Sequence, residues 1–84
     1  MGWNCSIRVL DENGRPASGA TVTLHFHGLM GGFLKEYTDS DGWAEFNLPD
    51  SANDVQSIST VYVGSREVAS SIGITNGETL SFHR

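Results

Sequence analysis

His25 and His27 stand at alternate positions of a segment that reads as a β-strand, so both imidazoles project from one face. That spacing suits a metal ion, and His83 adds an outward imidazole on the last strand. A catalytic zinc site needs three protein ligands and an open coordination position. The competing reading is that solvent-facing histidines take ordinary polar places on a β-surface, and an His-x-His pair alone is weak evidence. No metal ligand is therefore assigned, and His25, His27 and His83 stand as candidates. Asp39-Ser40-Asp41-Gly42 sets carboxylates close together, as half of a calcium loop would. Counting to position 12 of such a loop reaches Asp50 rather than Glu, and no helical pattern flanks it. A tight hairpin with residues that tolerate αL is the better account. A Ser-His-Asp triad lacks its Gly-x-Ser-x-Gly elbow and the strand-to-helix context that elbow requires.

Two further features suit binding better than catalysis. Trp43 is expected on the face opposite the core, beside Glu45, where an indole can anchor a sugar ring or a protein partner. The alternative is that Trp43 packs under a loop or against Trp3. Leu29 and Met30 lie between Gly28, Gly31 and Gly32, an apolar loop that either folds over one end of the molecule or forms part of a contact surface. Met1-Gly2-Trp3-Asn4-Cys5-Ser6 also fits short patterns for myristoylation and for glycosylation at Asn4, but the same residues are needed for the first strand and no polybasic segment follows.

These side chains must be held by a small scaffold. The chain has 84 residues, which fits one domain spanning 1–84 with a single core. Lys+Arg number 5 against 10 Asp+Glu, a net charge of −5. Phosphate binding needs clustered cations, so nucleic acid and an anionic membrane are poor partners. The single cysteine excludes an intramolecular disulfide and a Cys-only zinc site. No apolar run approaches the roughly 20 residues of a membrane span, and the N-terminus lacks a signal-peptide layout. Localisation stays open: cytoplasmic for a complete protein, extracytoplasmic for a module of a longer exported chain.

Helical periodicity is almost absent, and period-two segments recur between clusters of Gly, Pro, Asn and Asp. Trp3 to Leu10 puts Cys5, Ile7 and Val9 on one face. Ala20 to His27 turns Val22, Leu24 and Phe26 inward. Phe33 to Thr38 follows with its phase unassigned, then Trp43 to Leu48 with Ala44, Phe46 and Leu48 inward. Val55 to Val63 slips phase between Ser57 and Val61, which predicts a bulge. Arg66 to Ser70, Ile72 to Thr75 and Glu78 to Arg84 complete the set, with Leu80 and Phe82 inward. The pattern predicts an all-β, two-sheet sandwich of about seven antiparallel strands with Greek-key connections.

The turns also carry a resemblance. Asp11 to Leu24, reading Asp-Glu-Asn-Gly-Arg-Pro-Ala-Ser-Gly-Ala before an alternating strand, resembles the opening of carboxypeptidase-regulatory-like and transthyretin-like (prealbumin-like) domains. Thr38 to Phe46, with Thr-Asp-x-x-Gly-x-Ala-x-Phe, is similar to that group's second hallmark, and the Val61 to Val68 hairpin suits it as well. The resemblance implies an immunoglobulin-like or prealbumin-like sandwich, and a non-catalytic add-on that stabilises a neighbour or binds another chain. The group's enzymatic branch, the transthyretin-related hydroxyisourate hydrolases, carries a terminal Tyr-Arg-Gly-Ser; here the residues are Ser81-Phe82-His83-Arg84, so that activity is not implied. Lys35, the only lysine, does not complete an intramolecular isopeptide triad.

The expectation is thus a non-enzymatic interaction or structural module that takes no cofactor. It would bind a protein, or a carbohydrate, through loops and an exposed sheet face, using Trp43, Leu29, Met30, His25 and His27. One alternative is a small acidic inhibitor of a basic protein surface. The other is a metal-dependent or hydrolase-like activity that draws His25, His27 and His83 together. Open edge strands allow homo-oligomers or strand addition, at an edge that needs the topology to be named.

Overall fold

The computed structural model describes residues 2–27, 32–48 and 54–84. Its strands are β1 (Trp3–Leu10), β2 (Thr21–Phe26), β3 (Phe33–Tyr37), β4 (Trp43–Leu48), β5 (Val55–Val63), β6 (Arg66–Thr75) and β7 (Thr79–His83). They form two sheets, of order β4-β1-β7 and β3-β2-β5-β6, which face each other as a β-sandwich. Period-two patterning makes this arrangement: in β1, Trp3, Cys5, Ile7 and Val9 are buried while the residues between them are not.

The core joins both sheets. Ile7, Val9, Ala44 and Phe46 from one sheet meet Val22, Leu24, Ile58, Val61 and Ile74 from the other. Phe26, Leu48, Leu80 and Phe82 pack around this layer, half-buried, in the inward phase expected of them. Trp3 crosses the layer. Its indole Nε1–H donates to the Ile74 carbonyl at 3.0 Å, and its ring meets Phe26 edge-on at 6.0 Å. A buried indole needs such an acceptor, because an unmet N–H in the core would cost about 1–3 kcal/mol.

Three features differ from the reading of the sequence. The pairing is not wholly antiparallel: β7 runs parallel to β1, from Ser6 opposite Thr79 to Leu10 opposite His83. Hydrophobic alternation reports which side chains are buried but not strand direction, so it carried no signal for this pair. Arg66 to Ser70 and Ile72 to Thr75 are one strand, β6, which keeps the same register on β5 before and after Ser71, whose φ is 51°. Trp3 belongs to the core and does not meet Trp43 in a satellite cluster. The expected bulge is present: across from His25 and Phe26, β5 passes from Thr60 to Ile58, leaving Ser59 as the extra residue. Ile58 and Val61, three positions apart, consequently both face the core.

Two turns share one construction. Asp11 accepts at Oδ1 from the Asn13 and Arg15 N–H groups at 2.8 and 2.9 Å. Asp39 does the same with Asp41 and Trp43 at 2.9 and 3.0 Å. Each carboxylate stands in for the missing backbone acceptors of a three-residue hairpin loop, and each loop closes on a glycine with positive φ: Gly14 at 80° and Gly42 at 83°. Gly42 is also packed, since a Cβ there would lie 2.7 Å from the Val9 carbonyl oxygen. Thr38 locks the Asp39 turn to the preceding loop: its buried Oγ1 accepts from Ala20 N–H at 2.8 Å and donates to the Ala17 carbonyl. The Asp39 carboxylate therefore serves a turn, to which Asp41 contributes its backbone N–H.

Candidate functional site

Residues paired across a sheet share a face, so the registers assign the two outer surfaces. On the β4-β1-β7 sheet, Arg8 is opposite Trp43, Ser6 opposite Glu45 and Asn4 opposite Asn47. Trp43 is on the outer side, as its phase predicts, but it is half-buried. The Arg8 guanidinium sits over the indole at 5.5 Å from the ring centroid, and its Nε–H is directed to the Asp41 carbonyl at 3.3 Å. Stacked in this way, Trp43 is partly satisfied by its own chain.

The β3-β2-β5-β6 sheet presents the stronger apolar surface. Thr21 is opposite Tyr37, Thr23 opposite Lys35 and His25 opposite Phe33, and Tyr62 of β5 is opposite Thr23. Phe33 and Tyr37 are 64% and 63% exposed, on the edge strand β3. The His25 imidazole stacks on Phe33, with centroids 4.4 Å apart and planes at 14°. The Lys35 ammonium lies 5.6 Å from the Tyr37 ring centroid. Aromatic rings, an imidazole and a cation thus share one outward strip.

Phe33, Lys35 and Tyr37 are absent from the binding candidates that the sequence offers. The signal was there in outline: Phe33-x-Lys35-x-Tyr37 alternates with Leu34, which turns inward opposite Leu24. Five residues with two rings and one aliphatic on opposite phases leave the choice of inward face ambiguous until a partner strand is known.

The remaining candidates separate. His27 lies just past β2, where its N–H donates to the Ser57 carbonyl, and it lines an end recess of about 290 Å³ with Phe26, Phe33, Leu34, Leu48 and Gln56. His83 is in register with Leu10 at the other end of β1 from Trp3, whereas Phe26, beside His25 and His27, contacts Trp3. The three imidazoles do not converge, and among the described residues no group of three or more His, Cys, Asp or Glu side chains could hold a metal. Leu29 and Met30 lie outside the described residues. A second, polar recess of about 470 Å³ is lined by Asp11, Glu12, Asn13, Arg66 and Arg84.

Two groups have displaced acidities. The N–H groups of Arg15 and Asn13 hold the Asp11 carboxyl below its usual value, with the Arg15 and Arg84 charges adding to the effect. Burial pushes the Cys5 thiol up to about 12, and the Glu78 carboxylate adds to it. Neither group adjoins the aromatic strip. Among the described residues, no helix is long and apolar enough to cross a membrane.

No protein-family model matches the chain, and no curated protein matches it. Among solved structures, the Bacillus anthracis TIE protein is similar at 18% identity and a TM-score of 0.54, over 99% of this chain and 16% of that one. At that identity the likeness concerns fold. The chain spans about 16% of the length of this structural neighbour.

Proposed function

We propose that this protein is a non-enzymatic interaction module of the carboxypeptidase-regulatory-like or transthyretin-like kind, with an immunoglobulin-like sandwich as its scaffold. The observation that carries the reading is the outward strip on β3, where Phe33 and Tyr37 leave most of their ring surface in water. Exposed rings that share a face are the usual anchors of a contact surface, because they bury much area at little cost in side-chain freedom. The turn motifs at Asp11–Gly14 and Asp39–Gly42 support the family resemblance, since each residue type there has the backbone role that the motif requires. The similar region in the much longer TIE protein is consistent with a unit that works beside other domains. A protein partner is favoured over a carbohydrate. Lys35 and the paired rings offer charge and apolar area, and Trp43, the first candidate for sugar stacking, is engaged by Arg8.

The test compares the two faces. A Phe33→Ser/Tyr37→Ser variant and an Arg8→Ser variant are each presented to candidate proteins and to a glycan array, with folding checked by circular dichroism. The reading expects protein ligands of the wild type to be lost by the β3 variant and kept by the Arg8 variant. Ligands kept by both, or binding confined to glycans, would overturn it.

A further inference from the structure

We infer that the open edge of β3 is a strand-addition site for an extended peptide of a partner protein, with an acidic residue at its centre flanked two positions away by apolar or aromatic side chains. This inference rests on the interaction-module reading and names how contact is made.

The hydrogen-bond phase of β3 supplies the first argument. Thr38 N–H donates to the Ala20 carbonyl at 2.8 Å, and Phe26 N–H donates to the Gly32 carbonyl at 2.9 Å. Antiparallel ladders alternate bonded and non-bonded pairs, so Glu36 and Leu34 direct their backbone groups towards Val22 and Leu24 on β2. The N–H and C=O groups of Phe33, Lys35 and Tyr37 then point the other way, out of the sheet edge. Among the described residues, none donates to or accepts from them. The residues with outward aromatic and cationic side chains are thus the residues with unpaired backbone groups.

Comparison of the edges supplies the second argument. The β6 edge carries the register shift opposite Val61 and Tyr62 and the positive φ of Ser71, irregularities that discourage an added strand. On β4, the outward Trp43 is covered by Arg8. On β7, the outward residues are Thr79, Ser81 and His83, which offer one imidazole and no large apolar side chain. Only β3 couples an open ladder to exposed Phe and Tyr rings among these edges.

Charge selects the occupant. Lys35 is central to the edge, and its ammonium is set on a ring, with Tyr37 as its neighbour. A second copy added antiparallel about Lys35 would set lysine against lysine and Leu34 against Glu36, which disfavours self-pairing. An antiparallel peptide running apolar, basic, acidic, apolar, aromatic would instead oppose Tyr37, Glu36, Lys35, Leu34 and Phe33 in turn. Main-chain bonds provide the affinity in this mode, and the alternate side chains provide the selection.

The experiment titrates isotope-labelled protein with a synthetic peptide of that five-residue pattern, and with a second peptide of the same side chains N-methylated at its edge-facing amides. The first is expected to slow hydrogen exchange at the Phe33, Lys35 and Tyr37 amides by about tenfold or more, and the second to leave them unprotected. Lys35→Glu, at an exposed position, should weaken the acidic-centred peptide by roughly tenfold and favour a basic-centred one. Equal binding of the N-methylated peptide, or protection that maps to β6 or β7, would overturn the inference. So would protection without peptide that grows with protein concentration, since that would mean a second copy. Ring shifts at Phe33 and Tyr37 without amide protection would also refute strand addition while leaving the face-contact reading in place.

Discussion

Gly14 and Gly42 occupy the same position in equivalent turns with nearly the same φ, 80° and 83°, but only Gly42 is packed against another strand. Alanine at Gly14 meets only the backbone penalty, about 1 kcal/mol, because nothing lies within 4 Å of its Cβ. Alanine at Gly42 must also move away from Val9 O and should cost roughly 3 kcal/mol or more. Urea midpoints of the two variants would show the difference, and equal losses would contradict the close approach. Thr38→Val keeps the shape but strips the hydroxyl that serves Ala20 N–H and the Ala17 carbonyl, an expected loss of about 1–3 kcal/mol in the same measurement. Asp11 links the turns to pH. Its folded pKa lies below the unfolded one, so its contribution is present above the ordinary carboxylate range, near pH 4, and disappears as pH falls through the lower folded value. Asp11→Asn should therefore flatten the dependence of stability on pH below about 4, as followed by acid titration of the denaturation midpoint. Cys5 provides a reporter: with its thiol raised to about 12 and buried, alkylation at pH 8 should be negligible in the native protein and rapid in denaturant.

At the level of elements, each strand does one of two jobs. β1 and β2 are interior strands that hold the core, while β3 is an edge that carries chemistry outward. Ser71 in β6 tests how tightly an irregular element is determined. Asparagine there tolerates the left-handed φ of 51° and should leave stability within about 0.5 kcal/mol, whereas valine should cost roughly 1–2 kcal/mol in chemical denaturation. The boundaries of β2 and β4 were legible because Val22-x-Leu24 and Ala44-x-Phe46 alternate cleanly between turn residues, and the β5 bulge announced itself as a phase slip, whereas β6 read as two strands. The parallel partner of β1 was not legible, since direction depends on how distant segments meet. The candidate site was read only in part. His25 faces outward as its phase predicts, but its neighbours Phe33, Lys35 and Tyr37 lie on a short strand whose facing is set by pairing with β2.

For the whole molecule, stability depends on one shared layer between the sheets. Leu24 and Phe46, both nearly inaccessible, contribute from opposite sheets. Truncation of either to alanine should cost about 2–5 kcal/mol, enough to unfold much of a domain this small, as read by thermal or urea melts. The parallel contact between the first and last strands has a mechanical corollary. With β1 and β7 adjacent over five register pairs and pointing the same way, tension applied between the start of β1 and the end of β7 slides one strand along the other. The ladder between them is then loaded in shear, its bonds sharing the pull at once instead of opening one after another. If the unit sits within a longer fibre, its first and last strands would act as the clasp that bears the traction.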